Sequence, residues 1–259
     1  MAERLINGVR LYYEEHGEGE PILCIHGTSS SAMVWGPAVD VLAGLGRVIV
    51  YDRRGCTRSE RPDPYETTTV SDHADDAAAL IEALDASPAV VIGRSYGGEV
   101  GLDLTLRYPD RVRTLVLLEA ALLHLSPEAW RWEQGAHERV RAAADRGIET
   151  VGETFIGEVL GPEAWKGFSR TMRQMFTDNG PAILAELEGG PLKVDPEQLG
   201  TIDVPTLLVA ASGSPEPFRQ VTDRMAAAMP NAEKVVIEGG HFVDPADPSV
   251  IEFVRRALG

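Results

Sequence analysis

The chain has 259 residues, 44% hydrophobic and 25% charged, and a formal net charge of −16 from 40 acidic and 24 basic side chains. That length suits one large α/β domain or two smaller ones with a sizeable core, and the composition is that of an ordinary globular protein. The acidic balance argues against nucleic-acid backbones and anionic membrane surfaces as partners. The opening MAERLING is charged and lacks the apolar core of a signal peptide, and no apolar run is long enough to span a bilayer. Cys24 and Cys56 form neither a CxxC pair nor a disulfide framework, so a cytoplasmic protein is expected, with Cys56 exposed after its Arg-Arg-Gly turn but unreactive.

The first element is a hairpin: two alternating segments in RLINGVRLYYEEHG flank Asn7-Gly8, the pair best suited to a tight turn with positive φ at both central residues. PILCIHG (21–27) follows as a buried strand, and RVIVYD (47–52), PAVVIG (88–93), VRTLVLLE (112–119), VPTLLVAA (204–211) and EKVVIEG (233–239) have the same character. Near-continuous Val/Ile/Leu runs mark a parallel sheet covered on both faces. Helices are predicted between them at 71–86, opening at an N-cap Ser71, and at 96–109, 217–230 and 248–258. From about 121 to 200 the rhythm changes to helix-like stretches with large apolar residues and three of the four tryptophans. The expected architecture is a mostly parallel, doubly wound α/β sheet led by an antiparallel hairpin, with core segments 1–120 and 201–259 and a helical insertion at 121–200 over the C-terminal sheet edge.

Gly93-Arg94-Ser95-Tyr96-Gly97 fits G-x-S-x-G directly after a buried strand and before a helix, the setting in which a sharp turn lifts a serine hydroxyl above the sheet. A serine needs a base to take its proton. Of the six histidines, His241 in IEGGHFVDP sits just after the last predicted strand, where a loop returns to the same sheet edge. His16 belongs to the hairpin, His73 to a helix start, His124 and His137 to the insertion, and His26 precedes the nucleophile.

HGTSSSAMVW (26–35), YDRRGCTRS (51–59), GRSYGG (93–98) and GGHF (239–242) come in the order and spacing of the α/β-hydrolase superfamily, which the chain resembles over nearly its whole length. The resemblance implies an α/β-hydrolase fold with the insertion as a cap; the sequence shows no metal cluster or phosphate-binding glycine loop, so no cofactor or metal is expected. The resemblance also implies an oxyanion hole built from the backbone N–H groups of Thr28 and Tyr96, a group of donors often decisive in acyl transfer. Arg94 replaces the commoner histidine of the motif, with the backbone geometry expected to survive, and Asp52 is a structural turn residue.

The family usually places its third triad member after the strand equivalent to VPTLLVAA, where this chain reads SGSPEPF and Ser214 occupies the expected aspartate position. Glu216 lies two residues on, and Asp223 falls within a predicted helix. Glu119, alone among apolar residues in LVLLEAALL, ends the strand after the nucleophile's helix, so both strand ends lie on one edge if the two strands are neighbours. One subset of haloalkane dehalogenases and a lactone hydrolase acting on a fungal resorcylic lactone resemble this arrangement. The triad is therefore read as Ser95, Glu119 and His241, with Glu216 as the alternative acid.

The expected reaction is hydrolysis of an ester or lactone of a small, apolar molecule. Ser95 argues against dehalogenation and epoxide opening, for which the family needs an aspartate nucleophile. Pocket residues are expected among Ser29 and Phe242, beside Thr28 and His241 in sequence, and Trp130, Trp165, Met172 and Phe176 of the insertion. A small-molecule receptor, or a biosynthetic lyase or cyclase, would use the same scaffold. The expected partner is a small-molecule substrate, with neither nucleic acid nor membrane, and the state a monomer or homodimer.

Overall fold

The computed structural model of the chain describes residues 2–259. Eight strands form one sheet: β1 (Ala2–Ile6), β2 (Val9–His16), β3 (Pro21–Ile25), β4 (Arg47–Tyr51), β5 (Ala89–Arg94), β6 (Val112–Leu118), β7 (Thr206–Ala211) and β8 (Ala232–Ile237). Their order is β1-β2-β4-β3-β5-β6-β7-β8. The β1–β2 and β2–β4 pairs are antiparallel and every other pair is parallel. Asn7 and Gly8 turn the leading hairpin with φ of 46° and 79°, as the Asn-Gly pair implies.

Before and after β5 the chain forms α1 (Ala38–Ala43), α2 (Val70–Ala83) and α3 (Tyr96–Arg107). Between β6 and β7 it forms α4 (Pro127–Ala144), α5 (Glu149–Leu160), α6 (Ala164–Gly167), α7 (Arg170–Asp178), α8 (Gly180–Gly189) and α9 (Pro196–Gly200). After β7 come α10 (Glu216–Ala228) and, at the chain end, α11 (Pro248–Leu258). Alternation along each strand feeds two cores. Leu23, Ile25 and Val91 pack with α2 and α3, whereas Ile22, Cys24, Val90 and Ile92 pack with Trp35, α1 and α11 on the opposite face.

Three local features differ from the sequence reading. Helix α2 is capped by Thr69, whose side chain accepts from Asp72 N–H while Asp72 returns the bond, so the helix starts before Ser71. Helix α1 was not anticipated, because six residues are too few to carry a helical period. Cys56 is fully buried, like Cys24, and burial pushes both thiols up to about 12.

The inserted helices lie over the loops at the C-terminal strand ends. Asn179 accepts from Thr57 N–H at 2.8 Å and donates to Ser30 O at 2.9 Å, and Thr68 N–H donates to Ala185 O at 3.0 Å. Val194 and Leu199, at the end of the insertion, pack into the core beneath the sheet rather than over its edge. No helix among the described residues is long and apolar enough to cross a membrane.

Candidate active site

Ser95 occupies the turn between β5 and α3 with φ 54° and ψ −123°, a strained conformation for a residue with a side chain. The turn is possible because nothing crowds it: a Cβ on Gly93 would meet the Gly97 carbonyl, and one on Gly97 would meet the carbonyls of Ile25 and His26. The HG loop after β3 comes as near, since a Cβ on Gly27 would lie 3.2 Å from Ser95 Cβ. Arg94 leaves this geometry intact. Neither Thr28 N–H nor Tyr96 N–H, which flank Ser95 from the loop and from the first turn of α3, donates to another protein atom among the described residues.

The ends of β5, β6 and β7 are tied in series. Ser95 N–H donates to Leu118 O at 3.0 Å, Ala121 N–H donates to Ser95 O at 3.2 Å, and Glu119 N–H donates to Val209 O at 2.9 Å. Glu119 takes the left-handed conformation, φ 48°, and its carboxylate turns toward the 211–214 loop. There it is fully buried and accepts three bonds: Ala211 N–H to Oε1 at 2.7 Å, Ser214 O–H to Oε2 at 2.5 Å, and His241 Nδ1–H to Oε2 at 2.8 Å. The serine in the family's acid position thus donates to the glutamate that meets the histidine. Three donors satisfy a carboxyl group with no exposed surface. Glu216, by contrast, is exposed at the start of α10 and bonds Gln220, and Asp223 is paired with Lys234.

With Nδ1–H committed to Glu119, His241 is held as the tautomer whose Nε2 is a free acceptor. Phe218 of α10 stacks on its ring, centroids 3.9 Å apart. Its loop is held further by Arg94, which donates to Val243 O at 2.6 Å and lies over the rings of Trp35 and Phe242. Arg94 is buried with Nε and Nη1 unpartnered, and burial lowers its pKa to about 10. No hydrogen bond links Ser95 Oγ to His241 among the described residues, yet both side chains line one cavity of about 390 Å³ with Thr28, Phe155 and Phe242.

The HG loop is fixed from below. His26 accepts from Arg53 N–H at Nε2, so its Nδ1–H donates to Gly27 O, and burial pushes its pKa well below the ordinary value. The Arg53 guanidinium, fully buried, donates to the His26 and Gly27 carbonyls and pairs with Glu186 of α8 at 2.8 Å. Burial acts to lower its pKa, but Glu186 together with the nearby Cys56, Tyr96 and Tyr51 acts the other way, and the net shift is upward. Glu186 also accepts from Thr28 O–H at 2.6 Å. Asp52 instead braces the neighbouring loops, accepting from Ala32 N–H and from the backbone and guanidinium of Arg58.

A second, larger cavity of about 630 Å³ opens on the other side of Ser95, between α3, α4, α5 and α8. It is lined by Trp132, Phe155 and Phe218, and also by Glu99, Glu133, Glu158 and Glu186, so it departs from the expected apolar pocket. Of the pocket residues expected from sequence, Phe242 lines the smaller cavity. Trp165, Met172 and Phe176 do not line either; they pack together against Ile156 and Phe168. Trp130 and Ser29 line neither cavity, Ser29 being wholly buried with φ 64°. The missed glutamates had a signal: Glu133 lies on the stripe Ala129, Ala136, Val140, Ala143 that α4 buries. Among the described residues no three His, Cys, Asp or Glu side chains are grouped to hold a metal ion.

Known proteins resemble the chain along the same lines. A family model described as alpha/beta hydrolase fold matches residues 20–243. A haloalkane dehalogenase of Sphingobium indicum is 28% identical over 282 residues, covering 97% of this chain and 94% of that protein. A putative carbamate hydrolase of Caulobacter segnis is 37% identical over 277 residues, covering 95% and 96%. The solved structure of an N-acyl homoserine lactone degrading enzyme superposes with a TM-score of 0.76 at 25% identity, covering 98% of this chain and 99% of that one. A serine on a strained turn after β5, a histidine after β8 and the family's sheet between them agree with the match along the sequence: the chain belongs to the α/β-hydrolase family.

Proposed function

We propose that the protein is a serine hydrolase that cleaves a carboxylic ester or lactone of a small molecule, with Ser95 as nucleophile, His241 as general base and Glu119 as the acid that orients it. The observation that carries this reading is the chain of bonds from Ala211 N–H and Ser214 O–H through Glu119 to His241 Nδ1, in a cavity shared with Ser95. Ser95 Oγ attacks the carbonyl carbon as His241 Nε2 takes its proton, and the resulting alkoxide is met by the N–H groups of Thr28 and Tyr96. Collapse expels the alcohol, which receives the proton from His241 and leaves an acyl group on Ser95. Water, deprotonated by the same nitrogen, then releases the carboxylic acid and regenerates the hydroxyl. The helices of 121–200 act as a cap that excludes bulk water from both steps.

Dehalogenation fits poorly despite the resemblance to a dehalogenase. Displacement of halide by Ser95 would leave an ether, which water activated by His241 cannot hydrolyse, whereas an acyl-serine turns over. The lactone-degrading structural neighbour and the carbamate-hydrolase relative both support carbonyl chemistry.

Treatment with a fluorophosphonate should label Ser95 stoichiometrically, with peptide mapping as the check, and Ser95→Ala should abolish labelling and turnover of short p-nitrophenyl esters. A wild-type enzyme that neither labels nor hydrolyses any of a panel of esters, lactones and carbamates would overturn the reading and favour a receptor.

A further inference from the structure

Ser95 stands between two cavities, and the chemistry assigns each a half of the substrate. The leaving alcohol must take its proton from His241, which lines the smaller cavity. The acyl half therefore extends into the larger one, whose lining includes four glutamates and not one lysine or arginine.

Charged groups face this space from four helices. From α8, Glu186 is neutralised by Arg53, and from α5, Glu158 is bound through both oxygens by Arg139 at the rim. From α3, Glu99 accepts from Leu192 N–H, and burial together with Glu133 pushes its carboxyl well above the usual range. From α4, Glu133 is 6% exposed, its Oε2 has no partner, and His137 lies 3.8 Å from its Oε1. Burial raises Glu133 to about 8 and lowers His137 to about 4, so near neutral pH the two are uncharged rather than an ion pair. The Tyr96 hydroxyl is also buried without a partner. Buried oxygens without partners call for a ligand that brings hydrogen-bonding groups, and Trp132, Phe155 and Phe218 add an aromatic lining, a surface that favours a cation.

We infer that the larger cavity is a subsite for an alkylammonium group, so that the substrate is an ester or lactone whose acyl chain carries a primary amine, received by Glu133, Glu99 and the Tyr96 hydroxyl. As a substrate subsite this rests on the serine-hydrolase reading above; as a cation site it stands without it. Burial raises the affinity of Glu133 for its proton, and an arriving ammonium, by stabilising the carboxylate, displaces that proton. Binding releases close to one proton near neutral pH and tightens as pH rises from 6 to 8.

Isothermal titration of the full chain with n-pentylammonium, n-pentanol and n-pentanoate, in buffers of different ionisation enthalpy, tests this. The ammonium should bind at least tenfold more tightly than the alcohol, with proton release, and Glu133→Gln should remove both the preference and the release. A thermal unfolding transition checks that the variant is folded. Equal or tighter binding of pentanol or pentanoate, or ammonium binding that is indifferent to pH and to Glu133→Gln in a folded protein, would overturn the assignment. Fluorophosphonate labelling of the same samples separates the two readings: ammonium binding without labelling of Ser95 would sink the hydrolase reading and leave the cation site, and the converse would do the opposite.

Discussion

The residue on which most depends is Glu119. Its left-handed φ costs about 1 kcal/mol or more, and its side chain is fully enclosed, yet three donors meet its two oxygens. Replacement by glutamine keeps the volume but must point an NH2 at Ala211 N–H or at the Ser214 and His241 donors, a clash costing about 1–3 kcal/mol, or else flip the histidine tautomer. Glu119→Gln is therefore expected to lower kcat on a good ester by about 10³–10⁴-fold. Ser214 lies against the same oxygen that meets His241, so Ser214→Asp on the Glu119→Gln background places a carboxylate within reach of the ring. Steady-state kinetics should show recovery of at least about tenfold, the effect of one restored charge-assisted bond. No recovery in a folded double variant would mean that the left-handed turn at 119, and not only the charge, is needed.

At the scale of elements, the proposed chemistry depends on how three strand ends and one loop are held. β5, β6 and β7 are laced by backbone bonds, whereas the loop bearing His241 depends on side chains, with Phe218 stacked on the ring and Arg94 on the Val243 carbonyl. Arg94 is a costly tether. It is buried, two of its nitrogens have no acceptor, and no carboxylate pairs with it at contact distance among the described residues. Replacing such a charge with an apolar side chain of similar length is often neutral or stabilising. Arg94→Met should leave the unfolding temperature unchanged or raise it, while kcat falls about tenfold with KM little altered, because about 1.4 kcal/mol of positioning is lost from the transition state. Calorimetry and kinetics on one preparation test both halves; a destabilised variant with normal kcat would assign Arg94 to packing alone.

At the scale of the whole molecule, the buried acids link stability to pH. Glu133 is raised to about 8, so the folded state holds a proton that the unfolded chain has lost; its contribution is complete below the ordinary carboxylate value and disappears as pH rises toward 8. Glu99 acts in the same direction. His137, lowered to about 4, works oppositely, its contribution being lost as pH falls from the ordinary histidine value toward 4. The two slopes offset each other in mildly acidic solution, and above about pH 6.5 only the fall from the carboxyls is left. Thermal unfolding of Glu133→Gln should accordingly show a gain over the wild type that grows from pH 5 to pH 8, on the order of 2–3 kcal/mol across the interval. A difference that does not change with pH would show that Glu133 titrates normally.

By itself the sequence determined the order of strands and helices, the turn that carries Ser95 and the placement of a histidine after the last strand, because each is written in local periodicity and in glycines that the backbone requires. It also pointed to Glu119, since a lone carboxylate closing an apolar strand has to be answered by something. What answers it was decided only by the tertiary structure: Ser214, Ala211 and His241 are 92 or more positions away in the chain, and whether their donors converge depends on how β6, β7 and the loop after β8 align. The same holds for the cavity. The aromatic residues of the insertion were legible but their directions were not, so Trp165, Met172 and Phe176 fill the interior of the inserted helices while Glu99 and Glu133 face the space beside Ser95. Helical spacing tells which residues share a face, but what that face meets is set by packing between elements distant in the chain.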